Sequence, residues 1–271
     1  MAKDAPPLDE AEAQEVEERS PPTAKVVHAA VSQQGEDELD RPISSLFWSG
    51  VAAGFGIMGS VWAEAALHLH LPPAVWRDAV AGLGYSLGFL IVILGRMQLF
   101  TEHTMVAILP LARRPNQRNF RRVARLWSAV LLGNLVGVAA ISALAFYGHV
   151  QSPELTGAML DQSARLLAKS PGELLLQGIP AGFLIASVAW IRSAADDSSF
   201  WIVIALTYPI ALGGFTHVIA GGAEAFLLLW SGAAGIPWLV GGFLLPALAG
   251  NIIGGTGLFA LLAHAQVKEE I

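Results

Sequence analysis

The chain has 271 residues, of which 54 % are hydrophobic and 14 % charged, and its mean hydropathy is +0.54; this excludes an ordinary soluble domain and describes a protein solvated by lipid. The net charge of −6 is local, because residues 1 to 42 hold 11 acids against 4 bases and leave the body nearly balanced. That distribution argues against a nucleic-acid partner, and the absence of cysteine removes disulfides, thiolate nucleophiles and Cys-ligated zinc.

Residues 1 to 42 lack the basic-then-apolar order of a cleaved signal, so the N-terminus is expected to stay uncleaved. They read as an acidic, solvated cytoplasmic arm, disordered because low hydrophobicity with excess charge cannot offset ordering entropy. A short helix is allowed over Leu8 to Arg19, and Arg41-Pro42 marks the entry to the body. From 43 to 266 the chain reads as an all-α polytopic membrane domain, with 267–271 as a short cytoplasmic tail. A spanning helix needs about 20 mainly apolar residues, and six regions qualify, at about 45–69, 78–111, 123–148, 171–191, 199–229 and 237–265.

The second and fifth regions are longer than one span requires, and a polar cluster interrupts each. Arg96 to His103 breaks the first of these, and Gly213-Gly-Phe-Thr216-His217 the second. Irregular backbone survives at membrane depth only where protein or a water-filled cavity satisfies it, so both breaks are expected to face inward. The connection at 112–125 carries Arg113, Arg114, Arg118, Arg121, Arg122 and Arg125, which predicts a cytoplasmic loop. Six spans then place both termini in the cytoplasm, and the 149–170 and 231–237 connections outside.

GNLVGVAAISAL at 133–144 repeats as GNIIGGTGLFAL at 250–261, and Phe100-Thr101 precedes the first copy by nearly the interval at which Phe215-Thr216 precedes the second. Two three-helix halves follow. Three being odd, the second half enters from the opposite side, giving an inverted 3+3 repeat with helices 2 and 5 broken, an arrangement that points to transport. Asn134 and Asn251 are expected to hold the broken helices through backbone hydrogen bonds, between glycines that let helices approach closely.

These residues resemble the formate/nitrite transporter family of bacterial inner-membrane channels over roughly 43–266. The resemblance rests on QLFTEHTM at 98–105, GNLVG, GIPAGFLIASVAW at 178–190, GGFTHVIAG at 213–221 and PALAGNIIGG at 246–255. It implies an aquaporin-like six-helix protomer, a homopentamer with one pore per protomer, and two apolar constrictions flanking a central histidine. The chain departs from the family pattern at Gln98, where an acid is usual, at Thr216, where Glu often precedes the histidine, and at Gly182, where Asn is usual. A lysine expected at position 166 is Leu166, with Lys169 three residues away.

His217 is the sharpest site residue, since an imidazole at a helix break in the membrane is costly unless paired or functional. It is expected to hydrogen-bond the solute and help keep or make it neutral, with Thr101 as partner and Thr216 alongside. By position, Phe89, Leu99, Phe100 and Ile185 are placed at the cytoplasmic constriction, and Tyr85 with Ile210 at the outer one. Arg96, Glu102, His103 and Glu224 are unusual at membrane depth. Two readings stay open: Arg96 pairs with Glu102 or Glu224 and pins the broken helices, or the acids line the pore, repel anions and favour a neutral or cationic solute; His103 is a candidate proton relay. Glu64, His68 and His70 read as interfacial.

The leading function is a channel or proton-linked transporter for small monovalent weak acids or their anions, of the formate, nitrite, acetate or hydrosulfide class. A neutral-solute channel is a second reading, and a non-conducting receptor or scaffold using the acidic arm a third. No enzyme, metal or cofactor is expected, because no nucleophile–base pair or phosphate loop occurs and His68 and His70 are not spaced i, i+4 as helical metal ligands would be.

Overall fold

The computed structural model describes Asp9 and residues 20–271, and the described residues are helical with short connections. The short helix expected over 8–19 lies outside them. In chain order the helices are α1 (Ala24–Asp40) and α2 (Ile43–His70), α3 (Arg77–Leu94), α4 (Phe100–Val106), α5 (Ile108–Arg113), α6 (Gln117–Tyr147), α7 (Pro153–Ala164), α8 (Pro171–Ala194), α9 (Ser199–Leu212) and α10 (Ala220–Trp230), and α11 (Trp238–Glu270). Helices α2, α3, α6, α8 and α11 are long and apolar enough to cross a membrane. The region 199–230 is instead two short helices joined by an irregular link. The 149–170 connection holds α7, and the last helix runs through the residues expected as a tail.

Two helix pairs repeat one packing. α2 lies along α6 and α8 along α11, each at backbone contact. A Cβ on Gly54 would come within 2.5 Å of the Asn134 carbonyl oxygen, and one on Gly182 within 2.2 Å of that of Asn251. Small residues are therefore required at both crossings.

The expectation of a disordered arm through residue 42 is corrected by α1. Val27, Val31, Gly35 and Leu39 recur every fourth residue and are buried, an apolar stripe that offsets the ordering cost. Arg122 on α6 joins Glu36 at 2.8 Å and Asp40 at 2.7 Å. Arg125 donates to the carbonyls of Leu39 at 2.5 Å and Arg41 at 3.2 Å. His28 meets His264 of α11, Nε2 to Nδ1, at 3.1 Å, with Trp190 edge-on to its ring. α1 thus covers one face of the bundle, the face that carries the arginine-rich connection, while α7 lies on the other.

Two interrupted helices at the candidate pore

Both breaks have one construction. α3 ends at Leu94 and α9 at Leu212, and the next turns close with matched hydrogen bonds: Met97 N to Val92 O at 2.9 Å, and Phe215 N to Ile210 O at 2.9 Å. One residue in each turn adopts left-handed φ, Arg96 at 51° and Gly214 at 61°. Glycine tolerates this freely; arginine does not, so the first break carries backbone strain that its surroundings must hold.

An asparagine then bridges each gap. Asn134 Nδ2 donates to Gly50 O and Gln98 O, both at 2.8 Å, and its Oδ1 accepts from Phe100 N at 2.9 Å. Asn251 Nδ2 donates to Gly178 O at 2.9 Å and Thr216 O at 2.8 Å, and its Oδ1 accepts from Val218 N at 2.9 Å. Each amide so satisfies two backbone groups that the break would leave orphaned, and ties them to a carbonyl in the neighbouring continuous helix, Gly50 in α2 or Gly178 in α8.

This correspondence corrects the repeat register. Gln98 matches Thr216, and Phe100 matches Val218, so Phe100-Thr101 is not the counterpart of Phe215-Thr216. The Phe-Thr coincidence shifts the alignment by three residues. In the true register Leu99 stands where the second half has His217, and the imidazole has no twin.

The two halves meet at that imidazole. Thr101 Oγ1, in the first turn of α4, lies 2.7 Å from His217 Nε2, and the backbone N–H of Ala220 donates to His217 Nδ1 at 3.1 Å. A nitrogen that accepts from a backbone N–H carries no proton, so the ring is the neutral tautomer with its proton on Nε2, donated to Thr101. Both side chains are fully enclosed. Phe89 stands edge-on to the imidazole at 5.0 Å between centroids, and Tyr85 lies 5.1 Å from Phe89. Leu99, Ile185 and Ile210 are buried in the same core cluster. Phe100 packs against Trp127 of α6, whose indole donates to His103 O at 3.0 Å. The Thr216 backbone N–H donates to Gln177 O at 3.1 Å, and its hydroxyl donates to Gln177 Oε1 at 3.5 Å.

The expected ion pairs are redrawn. Arg96 makes an ion pair with neither Glu102 nor Glu224; its guanidinium lies 3.8 Å from Asp196, at the rim of the cavity that Glu102 also lines. Glu102 instead lies 3.8 Å from Arg192 of α8, and Glu224 accepts from Gln162 Nε2 at 3.1 Å. Sequence spacing missed both Arg192 and Gln162, which lie on elements distant in the chain. Cavities open toward the two faces. One of about 350 Å³ is lined by Gln98, Glu102, His103 and Arg192 under α1. The other, of about 420 Å³, is lined by Glu64, His68, Asp78 and Arg165 under α7. Lys169 Nζ donates to Gly214 O at 2.8 Å, tying the loop before α8 to the second break. Burial lowers the ammonium pKa, an effect that Glu224 and Glu173 oppose.

The family model for the formate/nitrite transporters matches residues 25–265. The inner membrane protein YfdC of Escherichia coli is 37 % identical over 256 residues, covering 94 % of this chain and 82 % of its own. The uncharacterized transporter YrhG of Bacillus subtilis is 25 % identical, covering 89 % and 92 %. Two solved structures share the fold. A pentameric formate channel with formate bound superposes with a TM-score of 0.70 at 19 % identity, covering 84 % of this chain and 98 % of that one. An FNT family ion channel gives 0.73 at 18 %, covering 90 % and 98 %. With apolar helices of spanning length, two interrupted helices clamped by paired asparagines and a family match over nearly its whole length, the chain is a membrane-integral member of the formate/nitrite transporter family.

Proposed function

We propose that this protein is a pentameric channel or proton-linked transporter that passes small monovalent weak acids or their anions, the solute being neutral where it meets Thr101 and His217. The observation that carries this reading is the 2.7 Å contact between Thr101 Oγ1 and His217 Nε2, which joins the two breaks through one hydroxyl and one neutral imidazole in an apolar surround. The His217 proton points at the threonine oxygen, leaving the threonine's own proton for a solute oxygen.

Magnitudes favour neutral passage. Protonating an acid of pKa near 4 at pH 7 takes about 3 units, or roughly 4 kcal/mol, whereas taking the bare anion into low dielectric is ideally of order 20 kcal/mol. The arginine-rich connection on the α1 face supports a cytoplasmic α1 and cytoplasmic termini. The pentamer rests on the likeness to the formate channel.

Carboxylates at both mouths favour a second reading, a channel for neutral solutes, since Glu102 under α1 and Glu64 and Asp78 under α7 offset the arginines of the same cavities, Arg96 and Arg192 on one face and Arg77 and Arg165 on the other. Uptake by proteoliposomes of formate, acetate and glycerol, with and without an inward proton gradient, separates the two. The weak-acid reading expects acid uptake that rises with the gradient; glycerol uptake with no gradient response supports the alternative.

A further inference from the structure

We infer that His103, with Glu102 beside it, is the group that hands a proton to a small carboxylate-like anion at the α1-face mouth, before the solute reaches Thr101 and His217. This rests on the weak-acid reading above and assigns the proton's source within it.

His217 is poorly built to supply that proton. Its Nδ1 is occupied by the Ala220 N–H and its one proton by Thr101. Giving up that proton would leave an imidazolate, and taking a second would break the Ala220 bond. The ring orients a solute that arrives already neutral.

His103 has the opposite arrangement. It lies in the same first turn of α4 as Thr101, is 3 % exposed, and places Nε2 2.6 Å from Gln98 Oε1. A carbonyl oxygen only accepts, so the proton sits on Nε2 and Nδ1 presents a lone pair. That Nδ1 is buried and has no hydrogen-bond partner among the described residues, an orphan of the kind that native structures retain for a reason. His103 lines the cavity of about 350 Å³ under α1.

The charges around it suit the transfer. Glu102 is the next residue, with Arg192 3.8 Å from its carboxylate. Arg192 is only 13 % exposed; it also meets Asp196 at 3.6 Å and donates to Ser199 Oγ at 3.1 Å. Arg96 stands at the rim, and α1 contributes Asp37 and Glu38 to the cavity wall and Arg41 nearby. Nδ1 takes a proton that arrives from bulk solvent as hydronium in the cavity and leaves neutral water behind, and the imidazolium is offset by the Glu102 carboxylate. An anion drawn in by Arg192 and Arg96 then accepts the Nδ1 proton on one oxygen and moves on as the neutral acid, and the ring returns to its starting tautomer. One N–H bond breaks and one O–H bond forms, with no redox change.

The test is uptake under an inward proton gradient by proteoliposomes holding the full-length protein, with formate as probe and formamide, a neutral solute of like size that needs no proton, as control. His103→Gln, which keeps bulk and an amide toward Gln98, is expected to lower formate uptake by about tenfold or more with formamide uptake and thermal unfolding unchanged, and Glu102→Gln to lower it in the same selective way. Variants that leave formate uptake at the native rate, or lower formate and formamide uptake equally, overturn the loading site while leaving the weak-acid reading intact. A native protein that passes glycerol but no formate overturns both.

Discussion

Replacing Asn251 by Ala tests the clamp on the second break. The substitution removes two donated bonds, to Gly178 O and Thr216 O, and one accepted from Val218 N, all among fully buried atoms. If each is worth the ~0.6 kcal/mol typical of interhelical hydrogen bonds in membranes, the loss is about 2 kcal/mol. If the two groups of the break itself, Thr216 O and Val218 N, are left unsatisfied at roughly 1 to 3 kcal/mol each, the loss is about 2 to 6 kcal/mol, a large share of a small domain's stability. The expected range is therefore about 2 to 6 kcal/mol, with loss of solute flux because Thr216 and Val218 flank His217. Asn251→Asp keeps the acceptor for Val218 and loses the donors, so it should fall between native and Ala. Asn134→Ala should match Asn251→Ala, since it makes the same three bonds at the first break. Unfolding by SDS in mixed micelles gives the free energies. A loss below about 1 kcal/mol for either alanine variant would refute the clamp.

Gly182→Ala places a Cβ 2.2 Å from the Asn251 carbonyl oxygen, so α8 and α11 must separate; a destabilisation of about 1 to 3 kcal/mol is expected in the same titration, and an unchanged midpoint would contradict the packing. α1 should undock in acid. Burial, the neighbouring His264 and Arg113 hold the His28 imidazole below its ordinary value of 6.5, so the undocked segment binds more protons and docking strengthens as pH rises. The His28 contribution to docking is fully present above its ordinary value of 6.5 and is lost as pH falls through the lowered value. Protease cleavage within 20–42 should accelerate as the native protein is acidified below that ordinary value, and His28→Gln should flatten that dependence.

Spans of apolar residues, a polar interruption in two of them and the twin Gly-Asn motifs were legible in the sequence because each is a local pattern with one physical cause. The register of the repeat was not. Phe-Thr recurs by coincidence, and only the hydrogen bonds of Asn134 and Asn251 show that Phe100 answers to Val218. The partner of Arg96 was hidden because Asp196 lies 100 residues along the chain, beyond any local spacing. α1 was misread from its charge. Its signal lay in Val27, Val31, Gly35 and Leu39 at intervals of four, which composition averages away. Glu102 and Glu224 were flagged as unusual, yet their partners Arg192 and Gln162 are about 90 and 60 residues away, beyond any local pattern.

The central claim is that one hydroxyl and one imidazole act together on a neutral solute. Initial rates of formate uptake under an inward proton gradient, measured for the native protein, Thr101→Val, His217→Asn and the double variant, test it most directly. If the pair is one unit, each single substitution lowers the rate by about tenfold or more and the double variant is little worse than the poorer single. Uptake that is unmoved by both substitutions and by the gradient would contradict the account.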